Sequence, residues 1–132
     1  VSREILAAPA WLCTRMNLTG DSPVLHLVCM HFSDNQAFQL EDRWINLTAL
    51  PQASQQDFNA IGPNEWLIAT VPYSEVEISF LAEAADVMTT AHLHHAPGEP
   101  VFCVERATWW QNAAITLVKL RHRRGYRMTT RY

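Results

Sequence analysis

Between Val24 and Asn46 the chain reads VLHLVCMHFSDNQAFQLEDRWIN, and polar residues recur at alternate positions. Cys29 and His31 precede the segment SDNQ; Gln39, Glu41 and Arg43 follow it. On a strand, alternate side chains share a face. A thiol, an imidazole, a carboxylate and a guanidinium on one face suit binding of a small polar molecule. The carboxylate accepts an N–H, and the guanidinium can take a planar carboxylate through two parallel bonds. The competing reading is a solvent-exposed Glu41–Arg43 pair of little energetic weight, with His31 a structural histidine.

Other chemistries find less support. There is no nucleophile elbow, phosphate-binding loop or dinucleotide fingerprint, and no Cys-His-Asn arrangement can be assembled around Cys29. The histidines of HLHH, His92, His94 and His95, fall at a helix end without the Cys or carboxylate spacing of a metal site. No metal, cofactor or catalytic group is therefore expected.

These residues need a hairpin to hold them. Val24 to Phe32 and Ala37 to Ile45 read as two strands around a turn. A three-residue loop, Asp34 to Gln36, would set His31 opposite Gln39 and Cys29 opposite Glu41; a two-residue loop would break that alignment. In this register Val24, His26, Val28, Met30, Phe32, Phe38, Leu40, Asp42 and Trp44 form the core wall. The opposite face is apolar at its far end and polar near the turn, as a small-molecule pocket requires.

The rest of the chain supplies the surroundings. Ser2 to Leu6 is a strand, and PAWLCTRMNLTG a short helix with Leu12 and Met16 on one face and Gly20 closing it. PQASQQDFN and PNEWLIA are short helices, each opened by proline. Tyr73 to Phe80 alternates, with Val76, Ile78 and Phe80 opposite Glu75 and Glu77. Glu83 to Leu93 reads as a helix, and Val101 to Trp109 with Ala113 to Arg121 as a second hairpin. Arg121 and the tail HRRGYRMTTRY that follows it read as a solvated basic turn, at Arg121, Arg123 and Arg124, and a final strand.

An internal repeat links the two hairpins. A shift of 77 residues lays Pro23-Val24 on Pro100-Val101, Ala37 on Ala114 and Leu40 on Leu117, although the helices then need an offset of two residues. Under this shift Cys29 maps to Arg106, His31 to Thr108, Gln39 to Thr116 and Glu41 to Val118. Arg106, Thr108 and Thr116 therefore share a face, and adjoining hairpins would bring Arg106 to the pocket as a second guanidinium. Two such units predict an α+β fold: an antiparallel sheet of two pseudo-repeated hairpins with packed helices.

Composition sets outer bounds. With 132 residues, 48% of them hydrophobic and 17% charged, one domain with a real core is expected. A net charge of -3 argues against this chain gripping nucleic acid by itself. Three cysteines without C-x-x-C spacing fit reduced thiols in a cytoplasmic protein, and no long apolar run suggests a membrane partner.

The stretches PVLHLVCMHFSDNQAFQLEDRWIN, LPQASQQDF, PNEWL, VEISFLAEAADVMTTAHLHHAPGEPVFCVERATW and RHRRGYRM, taken together, resemble the UTRA domain, the effector-binding half of one branch of GntR-type transcription regulators. Within that branch the resemblance is to regulators of histidine utilisation and covers nearly all of residues 1–132. It implies a chorismate-lyase-like fold, a homodimer and a small-molecule effector, urocanate. It also implies that operator DNA is met only through an amino-terminal winged helix-turn-helix domain absent from this chain. Relatives that sense sugar phosphates carry two arginines where this chain has Cys29 and His31, which fits an effector without phosphate. By the same resemblance Glu41 matches a pocket glutamate, Arg106 an arginine of an R.T motif, Glu77 a glutamate before the second repeat, and Tyr126 a tyrosine of the terminal motif. Glu41 and His31 would then meet the urocanate imidazole, and Arg43 or Arg106 its carboxylate. The alternatives are an enzyme of the chorismate-lyase type and a dimerisation module with a vestigial pocket.

Overall fold

A computed structural model of the chain describes residues 2–72 and 75–131. Ten elements follow one another: β1 (Ser2–Ala7), α1 (Ala10–Met16), β2 (Pro23–Ser33), β3 (Gln36–Asn46), a 3-10 helix (Pro51–Gln55), α2 (Pro63–Thr70), β4 (Glu75–Ala84), α3 (Val87–Leu93), β5 (Pro100–Trp110) and β6 (Ala113–His122). The six strands form one antiparallel sheet in the order β1-β2-β3-β6-β5-β4. Each half is a strand, a helix and a hairpin, and the two hairpins meet edge to edge at β3 and β6. The expected α+β layout holds, including the adjoining hairpins. No helix among the described residues is long and apolar enough to cross a membrane.

The repeat is more exact than the sequence suggested. Helices α1 and α3 coincide under the 77-residue shift with no offset, so the two-residue correction falls away. Their ends match too. Asn17 closes α1 at φ 55° and His94 closes α3 at φ 61°, both left-handed. Gly20 is thus not the helix terminator; an asparagine tolerates the left-handed conformation and stops the helix earlier. Helix α3 also starts later than expected. Glu83 and Ala84 belong to β4, and Asp86 caps the helix by accepting from the Thr89 amide at 2.9 Å.

Both hairpins turn on two residues, Asp34-Asn35 and Gln111-Asn112, all at φ between 51° and 64°. Such turns follow the right-handed twist of the flanking strands. A β-bulge then restores the expected register. Ala37 faces Phe32, Phe38 is the extra residue, and Gln39 faces His31. The alignment of His31 with Gln39 and Cys29 with Glu41 therefore holds, through a two-residue turn plus a bulge instead of a three-residue loop. Past β6 the described tail contains no strand, and Arg121 belongs to β6, with only 13% of its side chain exposed.

Both sheet faces are covered, so the core is not confined to one wall. On one face Val24 and Leu117 pack with Leu12 and Met16 of α1, while Val28 and Leu40 pack with Leu93 of α3. On the other, Leu25, Leu27, Ile45 and Ile115 pack with Leu50, with Ala53 of the 3-10 helix and with Trp66 and Leu67 of α2. Leu12, Leu25, Leu40 and Ile45 are fully buried, each worth about 1.5–3 kcal/mol of transfer free energy. The Trp pair of the second turn is divided between the layers, Trp109 against the α1 cluster and Trp110 against the α2 cluster.

Candidate functional site

Strand register lays out the α2-side face as a grid. One row runs Leu27, Arg43, Val118, Arg106 and Ile78 from β2 to β4. The next toward the first turn is Cys29, Glu41, Leu120, Val104 and Phe80. His31, Gln39 and His122 lie beyond it, and Ile45, Thr116, Thr108 and Val76 lie on the α2 side. Arg43 and Arg106 thus flank Val118 two strand spacings apart, about 10 Å between backbones.

Glu41 and Arg43 are buried, 3% and 1% exposed, which excludes the surface-pair reading. Arg43 Nε donates to Glu41 Oε2 at 2.7 Å, and Arg43 Nη1 donates to Thr116 Oγ1 at 3.3 Å. His31 Nε2 bonds the other oxygen, Glu41 Oε1, at 2.7 Å. Burial pushes the Glu41 carboxyl up, but the His31 bond and the charge and bond of Arg43 outweigh it and hold the group at about 2. An ionised Glu41 can only accept, so His31 carries the proton at Nε2 in this bond. Both Glu41 oxygens are therefore engaged, one by His31 and one by Arg43, and the carboxylate holds the two side chains in place.

A cavity of about 330 Å³ opens beside this cluster. Arg43, Arg106, Thr108 and Thr116 line it together with Asn64 of α2; Leu67, Ile68, Val76, Ile78 and Ile115 supply apolar wall. Arg106 Nη2 donates to Asn64 Oδ1 at 2.6 Å. Asn64 is the member the sequence reading missed; its place at the start of α2 pointed to no partner until the helix was packed on the sheet.

The other expected residues are distributed around this centre. Cys29 shares the face, opposite Glu41, but lines a separate cavity with Arg3, Leu27 and Phe58. Burial and the neighbouring Glu41 charge push its thiol up, so it is no ready nucleophile. Tyr126 stacks on His122, with ring centroids 4.3 Å apart, and on Phe38 at 6.1 Å, at the His31 end of the face. The His122 ring accepts from Gln39 at Nε2 and donates from Nδ1 to the Phe102 carbonyl; burial lowers its pKa in keeping with that neutral form. Glu77 is a correction. It faces Ala107 in the register, points to the opposite side of the sheet and pairs with Arg15 of α1 at 3.4 Å. Within HLHH, His95 is buried between the Glu99 carboxylate and the His122 carbonyl, a structural use.

This face offers guanidinium donors from two halves of one sheet, two threonine hydroxyls, an amide and apolar wall. That suits reversible binding of a small anionic molecule.

The chain is 30% identical over 99 residues to the histidine utilization repressor of Pseudomonas aeruginosa, covering 75% of this chain and 40% of that protein. It is 27% identical over 107 residues to the repressor of the same name from Klebsiella aerogenes, covering 81% and 44%. The chain thus spans less than half the length of these curated relatives. Among solved structures, the C-terminal domain of histidine utilization repressor from Pseudomonas syringae superposes with a TM-score of 0.91 at 26% identity, over 99% of this chain and 94% of that one. The effector domain of PhnF from Mycobacterium smegmatis shares the fold, with a TM-score of 0.82 at 20% identity over 98% and 80% of the chains. The family model of the UTRA domain matches residues 1–127, and the chain belongs to that family.

Proposed function

We propose that this chain is the effector-sensing and dimerisation domain of a repressor of histidine utilisation, with urocanate as its effector. The observation that carries the reading is the buried Glu41–Arg43 pair, whose Arg43 lines a cavity together with Arg106. Urocanate is flat, with an imidazole at one end and a conjugated carboxylate at the other. Arg106, bonded to the neutral Asn64 amide, takes the carboxylate; Arg43 stays committed to Glu41 and adds positive field. The imidazole lies toward Thr108 and Thr116, whose hydroxyls can donate or accept. Release of operator DNA then depends on which conformation urocanate binds better, and needs no covalent chemistry. The exposed apolar row Val76, Ile78 and Phe80 on edge strand β4 supports self-association.

Isothermal titration calorimetry with urocanate, histidine and imidazole propionate tests the effector. Saturable heat with urocanate, weaker or absent with the saturated analogue, is expected. No heat with urocanate at millimolar concentration would refute the assignment.

A further inference from the structure

The opposite sheet face holds a larger cavity, about 440 Å³, beside α1. Nothing in the effector reading uses it. Trp11 of α1 and Trp44 of β3 form its apolar wall, their rings edge to face with centroids 5.4 Å apart. His26 stacks on Trp44 at 3.8 Å and bonds Asp42 at 2.6 Å, fixing that indole in place. The wall is therefore aromatic, with Trp44 held in place and Trp11 exposed beside it.

Charge decides what could enter. Three cations and two carboxylates line the cavity: Arg15, Lys119 and Arg121 against Asp42 and Glu105. Arg15 is held by Glu105 at 2.8 Å, and Lys119 by Glu83 at 2.6 Å. Asp42 is satisfied by His26. Arg121 differs: its guanidinium makes a single side-chain bond among the described residues, to Asp42 Oδ2 at a long 3.4 Å. Its side chain is 13% exposed. Arg121 is half-buried and its charge also faces Asp86, but a guanidinium with five donors and one long bond keeps capacity for a carboxylate. The two lining carboxylates oppose a multiply charged anion such as a phosphate dianion.

We propose that this cavity is a second small-molecule site, on the face opposite the effector pocket, that takes a monocarboxylate with a flat apolar body. The carboxylate sits on Arg121 and the body against Trp11 and Trp44. Because Asp42 and Trp44 are on β3, the strand that also carries Glu41 and Arg43, an occupant would touch the same strand as the effector from behind.

The test uses the 132-residue chain labelled with 5-fluorotryptophan. Trp11 and Trp44 report this face and Trp66 the effector face, assigned by Trp→Phe variants. Fluorine NMR is followed during titration with cinnamate, and with cinnamamide as its uncharged counterpart. Cinnamate is expected to move the Trp11 and Trp44 signals saturably, in the unaltered chain and in Arg106→Gln alike, while cinnamamide does not. Arg121→Gln is expected to weaken the effect about tenfold, the loss of one charge-assisted contact. Should that variant not fold, Trp11→Ala, at an exposed position, is expected to weaken it as well. The proposal is overturned if cinnamate leaves Trp11 and Trp44 unmoved, if cinnamamide moves them equally, if every folded variant of this site binds as the unaltered chain does, or if Arg106→Gln abolishes the response. Movement of Trp66 alone would overturn it while leaving the effector site intact.

Discussion

Phe38 and Ile115 occupy equivalent places in the two halves: each is the extra residue of a bulge that follows a two-residue turn. The matching irregularities keep His31 level with Gln39 and Thr108 level with Thr116. Register of the polar face thus rests on the Asp34-Asn35 and Gln111-Asn112 turns. Asn35→Gly is expected to hold or raise thermal stability, since glycine adopts positive φ freely. Asn35→Val should lower stability by about 1–2 kcal/mol, the cost of left-handed backbone at a side chain poorly suited to it. Thermal unfolding of the two variants measures both outcomes.

The Glu41–Arg43 pair is buried on both sides of the charge. Arg43→Ala strands an ionised carboxylate, and a loss of about 3–5 kcal/mol is expected in urea unfolding. The double change Glu41→Gln with Arg43→Met leaves no uncompensated charge and should recover part of that loss. A double variant as unstable as Arg43→Ala would show that packing, not charge, sets the cost.

Acid should expose the same pair. Glu41 has its carboxyl lowered from 4.5 to about 2, so its contribution to stability is full above pH 4.5 and lost as pH falls toward 2. His122, lowered by burial, favours folding above its ordinary 6.5 and adds a loss below it. Unfolding free energy measured from pH 7 to pH 2 should therefore fall in two stages. Glu41→Gln is expected to reduce the more acidic one without removing it, because Glu99 is also held at about 2 and Asp42 is lowered as well.

Binding of urocanate should separate the two sheet faces. Arg106→Gln is expected to weaken it about tenfold, as removal of a charged donor does. Glu77→Gln, whose side chain lies on the α1 side, should leave it unchanged. Calorimetry on both variants distinguishes the two residues that family resemblance had grouped together.

Self-association should depend on the apolar row of β4 on the α2 side of the sheet, where Ile78 and Phe80 are 52% and 63% exposed. Phe80→Glu is expected to shift the chain from dimer to monomer in sedimentation velocity. A dimer unaffected by that change would place the interface elsewhere.

Much of this was legible in the chain itself. Alternation put Glu41, Arg43, Arg106, Thr108 and Thr116 on one face, and the repeat brought the hairpins together. Single-residue parity and tertiary cover were harder to read. Glu77 falls on the far side because β4 pairs it with Ala107, a register no local pattern states. Glu83 and Ala84 extend a strand because the edge of β5 pairs with them, although their types suit a helix. Arg43, which the competing reading left in solvent, is buried, because α2 and the 3-10 helix close over its end of the face. Asn64 joined the site for the same reason.

The sheet is open, and its rims are β1 and β4, strands from equivalent positions of the two halves. A copy that docked rim to rim, β4 onto β1, would leave a fresh rim at each end and could grow without limit. The glutamates at 75, 77 and 83 crowd one rim with negative charge and hinder such growth. Association through the broad apolar surface of β4 is different in kind: a twofold contact there uses up its own surface and stops at two. A dimer built that way would owe its number to which side of one strand is greasy.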